Sequence, residues 1–342
     1  MNILVLADFR RDHTRGLFHN NPRKFAKGFL RNGHNVLEFS YREMLLSASP
    51  IRSKRWAARL AKKRTDALLA ALARDFQPGL IMVCTYRLLD GATLERLRHA
   101  APQAGLVFWY GDLRAGLEQQ VTSLAPFADW LVATSAGEVL QRYHAAGFRR
   151  CAFLPNPCDP DCEAPHAVEQ RWRSRLVFTG ALEHALPGED PERPRLIRHL
   201  VEHRGLTVWG CLGRPGVYGR DYLDALAGAD IALSINVFNH VPLYHSSRLT
   251  HCLGCGTFTL AKYVPQSERL FEHEKHLVYF GTLEECVELA DRYLADEPAR
   301  RRIAAAGRGR LLEQCHLQKL AGFVVDLLRD GGFQAPWAEF VT

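Results

Sequence analysis

Two hydroxyl side chains and an arginine stand directly before a glycine-rich turn in the stretch YHSSRLTHCLGCGTFTL, residues 244–260. Ser246, Ser247 and Arg248 begin a segment that we predict to be a helix over 247–253. Backbone N–H groups at a helix N-terminus can hold phosphate oxygens, and an arginine adds a bidentate charged contact. The same residues would also suit a serine cap beside a surface arginine. The pattern therefore indicates either a phosphate site or a simple capped helix.

Glycines flank the second cysteine of a C-x-x-C pair in this stretch. Gly254 and Gly256, followed by Thr257, indicate a helix-to-strand turn that either ends the helix or brings the backbone close to a ligand. Cys252 and Cys255 could hold zinc, but a structural zinc site needs a second pair at matching spacing, and the other cysteines do not supply one. We therefore expect no metal here and interpret both cysteines as packing residues.

Strand-like apolar runs alternate with helical stretches along the chain, which indicates an α/β fold. The stretch 151–166 is rich in proline, aspartate and cysteine and shows neither helical nor strand periodicity, so it separates two such halves. We predict a first domain at 1–160, a second at 161–325 and a tail at 326–342 that could return to the first domain. Predicted strands are 2–8, 35–41, 79–86, 104–112, 129–135, 175–184, 206–213, 229–236, 256–263 and 276–282, and predicted helices include 20–34 and 52–75.

The composition is that of a globular chain. Its 342 residues are 47% hydrophobic, which is enough for two domains of ordinary size. No apolar run reaches the roughly 18 residues of a membrane-spanning helix. The first residues resemble a strand more than an export signal, and nine cysteines, an odd number, suggest reduced thiols. We therefore expect a cytoplasmic protein.

Positive charge is concentrated in the first half. Residues 1–165 carry 23 Lys+Arg against 15 Asp+Glu, a net charge of +8, and the remainder carries −1. The stretch 51–65 holds seven basic residues and no acidic one. It is either a solvated helix face or a surface that meets phospholipid headgroups, a phosphorylated glycan or nucleic acid. Residues 52–64 are therefore our candidate for peripheral contact with the inner face of a membrane.

The second half resembles the nucleotide-binding half of GT-B glycosyltransferases. It has, in order, S-x-R at 246–248, C-G-T at 255–257, P-x-x-E-x-x-F at 265–271 and R-x-x-I-A-x-x-G at 300–307. It looks closest to the CgeB-like spore-maturation branch and is distantly similar to the large retaining family that includes glycogen and sucrose synthases. The likeness covers residues 129–316, whereas residues before 129 share only the strand–helix order.

This resemblance implies two Rossmann-like, doubly wound domains facing a central cleft, with the donor in the second and the acceptor in the first. Gly180 and Gly210 end strands where the backbone can approach a diphosphate. Glu268 could accept hydrogen bonds from a ribose diol, or simply lie at a helix N-terminus. Trp209 could stack on the base or pack in the core. The remaining predicted donor residues are Asn236, Tyr244, Ser246, Ser247, Arg248, Gly254, Gly256 and Thr257.

The sequence departs from the retaining relatives at one place. Those proteins carry two glutamates eight residues apart, where this chain has Leu243 and His251. Inversion or retention of the anomeric centre therefore stays open. An inverting enzyme needs a general base in the first half, and Asp112 is our first candidate, followed by Asp12 and His13. Asp112 would equally suit a helix cap, or acceptor binding in a retaining enzyme.

The resulting hypothesis is a metal-independent glycosyltransferase without a cofactor. It would move a hexose-type sugar from a nucleotide diphosphate-sugar to a hydroxyl of a glycan, lipid-linked or protein acceptor, preferably an anionic or membrane-associated glycan. Two other classes fit part of the pattern. A nucleotide-sugar 2-epimerase has the same architecture, and a nucleic-acid-binding or regulatory protein could use the basic first half, although the chain shows no recognition-helix or zinc-finger motif.

Overall fold

The computed structural model of the chain describes residues 1–9, 20–51, 53–86, 88–111, 113, 119–182 and 188–342. Its strands are β1 (Asn2–Ala7), β2 (Asn35–Ser40), β3 (Leu80–Val83), β4 (Gly105–Tyr110), β5 (Trp130–Ala133), β6 (Cys151–Phe153), β7 (Ser174–Thr179), β8 (Thr207–Trp209), β9 (Ala229–Ser234), β10 (Phe258–Lys262), β11 (Val278–Phe280) and β12 (Phe340–Val341). Its helices are α1 (Asn21–Arg31), α2 (Tyr41–Ala48), α3 (Lys54–Leu60), α4 (Lys62–Phe76), α5 (Gly91–Ala100), α6 (Gln119–Ser123), α7 (Glu138–Ala145), α8 (Glu192–Arg204), α9 (Gly219–Ala227), α10 (Ser247–Gly254), α11 (Leu283–Ala295), α12 (Glu297–Cys315) and α13 (Leu317–Asp330).

In the described part of the chain these strands form two sheets. The first has seven strands in the order β12-β6-β5-β4-β3-β1-β2, and the second has five in the order β11-β10-β9-β7-β8. All neighbours pair in parallel except β12, which pairs antiparallel with β6. Crossover connections join the parallel strands, most of them through α-helices, whereas β10 and β11 are joined by a loop with one 3-10 turn. The prediction of two Rossmann-like, doubly wound units is confirmed.

The strands are continuous apolar runs because helices cover both faces of a parallel sheet. β1 shows this, with Ile3 to Ala7 fully buried. Helix starts follow local capping rules: the Asn20 side chain accepts a hydrogen bond from the backbone N–H of Arg23 at the start of α1. Asp90 does the same for Thr93 at the start of α5. Among the described helices, none has both the length and the apolar character needed to cross a bilayer.

Two predicted elements are wrong in detail. The helix predicted over 52–75 bends at Ala61 into α3 and α4, and the bend leaves Ala57 and Ala61 buried while the Lys62 ammonium reaches Asp90 at 3.2 Å. The stretch 151–166, predicted to lack a strand, begins with β6. Three apolar residues are too short to signal a strand alone, and β6 forms because β5 offers a free edge.

The end of the chain packs against the first sheet. α13 lies along α1, and a Cβ atom at Gly28 would stand 2.4 Å from the carbonyl oxygen of Leu317, so only glycine permits this approach. β12 then extends the sheet beyond β6. The first unit is therefore built from both ends of the sequence.

Candidate functional site

A cavity of 460 Å³ lies at the carboxyl ends of β7 and β8 and at the start of α10. Gly111, which directly follows β4 of the first sheet, also lines it. Both units therefore contribute to the cavity, whose volume lies within the range of about 300 to 1,000 Å³ typical of small-molecule sites. Seven predicted residues line this cavity: Gly180, Trp209, Gly210, Tyr244, Ser246, Ser247 and Arg248.

Arg248 is the cation of the cavity. Its Nε donates a hydrogen bond to the carbonyl oxygen of Thr179 at 2.5 Å, and its Nη1 donates to that of Ile235 at 2.8 Å. The guanidinium also lies 4.6 Å from the centre of the Phe178 ring. Burial lowers the pKa of Arg248, yet a guanidinium stays protonated at neutral pH. Within the described ranges no carboxylate pairs with Arg248, so its charge is available to an anionic ligand.

Gly180 and Gly210 leave room beside this guanidinium. Gly180 has a φ of 145° and Gly210 a φ of 86°, conformations that favour glycine. A Cβ atom at Gly180 would lie 2.5 Å from Arg248 Nη2, and one at Gly210 would touch the Gly180 backbone at 3.6 Å. The two glycines therefore bring the backbone of β7 and β8 against the arginine.

The two serines at the start of α10 have different surroundings. The Ser247 hydroxyl donates to Asn156 Oδ1 at 3.3 Å and accepts from Asn21 Nδ2 at 3.2 Å, so it joins α10 to the first unit. The backbone N–H of Ser246 donates to Asn236 Oδ1 at 2.9 Å. Ser246 Oγ is buried and has no hydrogen-bond partner in the described part of the protein. Asn236 thus fixes the backbone just before α10, and the Ser246 hydroxyl is the one without a partner among the described residues.

Sequence reasoning missed several lining residues, chiefly Thr179, Tyr218 and Tyr222. Trp209 packs its ring against Trp172 at 5.6 Å, which fits core packing better than an open stacking surface. Tyr218 is exposed and offers a ring at the cavity. The available signal was two tyrosines four residues apart, Tyr218 within the loop "GRPGVYG" and Tyr222 after it, a spacing that suggests that both lie on one face of a helix start.

His251 lies at the back of the cavity inside a buried ionic cluster. Its Nε2 lies 3.1 Å from Glu163 Oε1 and 3.4 Å from Lys24 Nζ, and its Nδ1 lies 3.0 Å from the Tyr222 hydroxyl. Lys24 Nζ also pairs with Glu163. Burial alone would raise the pKa of Glu163, but Lys24 and His251 hold it below its ordinary value. Burial and Lys24 lower the pKa of His251 against the opposing effect of Glu163.

Besides Asn236, which holds the Ser246 backbone, four further predicted donor residues do not line this cavity. Gly254 packs against Glu163, with a Cβ at Gly254 meeting Glu163 Cβ at 2.8 Å, and Gly256, with a φ of 72°, packs against Pro165. Thr257 is buried and donates to the Leu226 carbonyl. The fourth, Glu268, lies in a separate pocket, where its carboxylate accepts from the Tyr263 hydroxyl at 3.2 Å. The predicted catalytic residues Asp12, His13 and Asp112 lie outside the described residues.

The cysteines of the C-x-x-C pair are free and buried. Cys252 and Cys255 pack with Leu223 and Leu226 under the second sheet, and burial raises the pKa of the Cys252 thiol to about 12. In the part of the chain that the structure describes, no group of three or more His, Cys, Asp or Glu side chains is arranged to hold a metal ion.

Comparison with known proteins agrees with this geometry. Residues 193–326 match a family model described as "Glycosyl transferase-like", and no curated protein shows significant sequence similarity to the chain. The structure of HepE from Anabaena, solved with UDP and glucose, superposes with a TM-score of 0.60 at 14% identity, covering 96% of this chain and 100% of that chain. Sucrose-phosphate synthase from Thermosynechococcus elongatus gives 0.59 at 14% identity, covering 96% and 98%.

A third structure was solved with nucleic acid. It is an alpha-glucosyltransferase in complex with UDP and a 13-mer DNA, with a TM-score of 0.59 at 12% identity, covering 96% of this chain and 99% of that chain. At such identities the likeness concerns the fold. The chain therefore has the GT-B fold, and its second unit carries the glycosyl transferase-like region. Similarity to the CgeB-like branch stays a prediction.

Proposed function

We propose that the protein is a glycosyltransferase that moves a sugar from a nucleotide diphosphate-sugar to a hydroxyl acceptor. The observation that carries this proposal is the Arg248 guanidinium, which forms no salt bridge with the described residues, beside Gly180 and the N-terminus of α10, in a cavity bounded by both units. A cation, a free Ser246 hydroxyl and close backbone approach together suit a diphosphate. The glycosyl transferase-like region at 193–326 contains most of these groups.

The proposed donor is a uridine diphosphate-sugar carrying a hexose. Support comes from the structural neighbours, since HepE was solved with UDP and with UDP-glucose, and the alpha-glucosyltransferase with UDP. In this chain the diphosphate would lie against Arg248, and the ribose would lie toward Tyr222 and His251 at the back of the cavity. His251 stands where the resemblance places a carboxylate, but its two ring nitrogens already contact Glu163 and Tyr222. We therefore assign it to positioning the Tyr222 hydroxyl, which would contact the ribose hydroxyls.

Transfer breaks the bond between the sugar C1 and the diphosphate oxygen and forms one between C1 and the acceptor oxygen. Arg248 and the α10 N–H groups stabilise the charge that develops on the leaving diphosphate, which is why we propose that no metal is required. The acceptor proton passes to a base in an inverting enzyme. Asp112 remains the candidate for that base, because Gly111 next to it lines the cavity.

The proposed acceptor is an anionic or membrane-associated glycan in the cytoplasm. The first half of the sequence carries a net charge of +8 and the second half a net charge of −1. A positive acceptor-binding domain raises the local concentration of an anionic substrate and speeds its encounter at low salt. Activity that falls as ionic strength rises, with the donor KM unchanged, would support this acceptor class.

The first test is nucleotide binding, measured by thermal shift with UDP, GDP, dTDP, ADP and CMP, with and without EDTA. A ligand that binds only the native state stabilises it by about 2.7 kcal/mol at 100 times its Kd. We expect UDP to raise the Tm of the wild type equally with and without EDTA. Arg248→Lys keeps the charge but loses the planar guanidinium, and we expect about 10- to 100-fold weaker UDP binding.

Arg300→Lys is the matched control, because Arg300 is also buried and donates to two backbone carbonyls, but lies away from the cavity. It should lower the Tm without changing the UDP-dependent shift. If no nucleotide changes the Tm of the wild type, the proposed donor site is wrong. If UDP does bind, incubation with a UDP-sugar alone separates the two enzyme classes. A transferase at most hydrolyses the donor slowly, whereas a 2-epimerase converts its sugar.

A further inference from the structure

A solvent-exposed apolar stripe lies on α3, on α4 and at Ile51, three residues before α3. Among the described residues, eight large hydrophobic side chains are exposed, and half of them fall within 51–68. Trp56 is 47% exposed and Leu60 is 53% exposed, and Ile51 and Leu68 accompany them. Clustering of this kind marks an interaction surface, whereas single exposed apolar residues are ordinary.

This stripe is not the inward face of the helices. Ala57, Ala61, Thr65 and Leu69 follow one another at intervals of four and are all nearly fully buried. They form the side of α3 and α4 that packs on the domain. The exposed apolar residues therefore constitute a second face, and about half of each of these side chains is left in contact with solvent.

Basic side chains lie among the exposed apolar ones. Arg59, Lys63 and Arg64 are all exposed, and none of them forms a salt bridge with the described residues. The nearest acidic residue in sequence, Asp66, is buried and already paired with Lys62 at 2.9 Å. We call Ile51, Trp56, Arg59, Leu60, Lys63, Arg64 and Leu68 the α3–α4 face. It is apolar and positive, without a compensating negative charge of its own.

A fixed polar cluster places this face beside the cleft. Tyr41, at the carboxyl end of β2, hydrogen-bonds to Asp66 of α4. Lys62 reaches Asp90, the cap of α5 after β3, at 3.2 Å and donates to Thr93 Oγ1 at 2.5 Å. The start of α4 is therefore tied to the carboxyl ends of two strands of the first sheet, the side on which α/β proteins bind their ligands.

We propose that the α3–α4 face docks the protein on an anionic lipid bilayer. Trp56 and Leu60 would enter the boundary between headgroups and acyl chains, and Arg59, Lys63 and Arg64 would lie against negative headgroups. Charge complementarity explains the basic residues, and the headgroup–acyl boundary of a bilayer also gives a favourable environment to the apolar side chains between them. Docking in this way presents the mouth of the cleft to the membrane surface. The inference does not depend on the proposed glycosyl transfer.

Vesicle flotation tests this proposal directly. The full-length protein is mixed with vesicles of phosphatidylcholine alone or of phosphatidylcholine with phosphatidylglycerol, at low and high salt. We expect binding to the anionic vesicles that weakens as salt rises. Replacing Arg59, Lys63 and Arg64 by Gln should weaken it about 100-fold, since each basic residue near an anionic surface contributes roughly a fivefold factor. The pair Trp56→Ser and Leu60→Ser should also abolish most binding.

Leu30→Ser is the control, because Leu30 is 55% exposed on α1, outside the α3–α4 face. It should bind vesicles like the wild type, and all variants should keep the wild-type Tm because every substituted side chain is exposed. Equal binding by wild type and both face variants would overturn the proposal. A second result would also overturn the proposal: the wild type binds no vesicles but binds a DNA duplex, and the three Gln substitutions abolish the DNA binding. The α3–α4 face would then bind nucleic acid.

Discussion

At the scale of single residues, His245 is a neutral imidazole inside the protein. Its Nε2 lies 3.1 Å from Ser267 Oγ, and its carbonyl oxygen accepts from Asn156 Nδ2 at 2.7 Å. Burial lowers the pKa of His245 to about 4, from an ordinary value of about 6.5. Between these two values the unfolded chain binds a proton that the folded chain does not, so the free energy of unfolding rises with pH across this window.

We therefore expect stability to be lost as pH falls from about 6.5 to about 4, with His245 contributing about 3 kcal/mol to that loss. Urea unfolding at several pH values measures it. His245→Gln should be less stable at pH 7 but should have a flatter pH dependence than the wild type. A variant at 245 with the full wild-type slope would contradict this assignment.

The sequence predicts the backbone of the site better than its side chains. Gly180, Gly210 and Arg248 are recognisable because strand ends, small-residue turns and an S-x-R have fixed places in the order of elements. Tyr222 and Glu268 show the limit. Tyr222 reaches the cavity from α9 only through the packing of that helix, and Glu268 turns to Tyr263 in another pocket. The spacing of neighbouring residues in the sequence does not predict in which direction either side chain points.

At the scale of elements, α12 contains two glycines with opposite surroundings. A Cβ atom at Gly307 would lie 2.0 Å from the carbonyl oxygen of His276, whereas one at Gly309 would meet nothing within 4 Å. We expect Gly307→Ala to destabilise the protein by several kcal/mol because backbone must move to admit the methyl group. Gly309→Ala should stabilise it by about 0.5 to 1 kcal/mol, because alanine is the better helix former.

Urea unfolding of both variants at one pH measures the difference, and Gly309→Ala serves as the control for helix propensity. If both substitutions stabilised the protein, α12 would not pack this closely on the segment around His276. The comparison is informative because the two sites share one helix and differ only in what the new methyl group meets.

Element types could be predicted from the sequence more reliably than their ends. All ten predicted strands are present, because runs such as residues 2–8 and 229–236 have a mainly apolar centre and polar residues at their ends. The bend at Ala61 was missed, since neither proline nor glycine marks it and the backbone hydrogen bonds continue across it. β12, at Phe340–Val341, was missed because a two-residue strand depends on its partner β6 and has no pattern of its own.

At the scale of the whole molecule, Lys24, Glu163 and His251 join the two units. Lys24 lies on α1, Glu163 on the segment between the sheets, and His251 on α10, and all three are buried. The Glu163 carboxylate also accepts from the backbone N–H of Asp159 at 2.9 Å, and Lys24 Nζ donates to the Pro157 carbonyl at 2.9 Å. The cluster therefore links the first unit directly to a residue that lines the cavity.

Replacing Lys24 by Met should destabilise the protein by about 3 to 5 kcal/mol, because it leaves the Glu163 charge buried without its partner. The double variant Lys24→Met with Glu163→Gln removes both charges and should recover part of this loss. Because His251 then loses a contact that fixes its ring, UDP affinity should fall in the single variant even at temperatures where it is fully folded. Urea unfolding and UDP titration measure the two effects separately.

Lys27→Met provides the control on the same helix. Lys27 is partly exposed and pairs with the buried Asp159 and the exposed Asp161. Because solvent reaches the Lys27 side chain, its loss should cost less than the loss of the fully buried Lys24, and it should leave UDP affinity unchanged. Equal losses for the Lys24 and Lys27 variants would mean that the buried cluster has no special role in joining the units. The double variant could recover stability without recovering UDP affinity. Neutralising the buried charge would then be enough to restore the fold, whereas positioning His251 at the donor cavity would require the ionic contacts themselves.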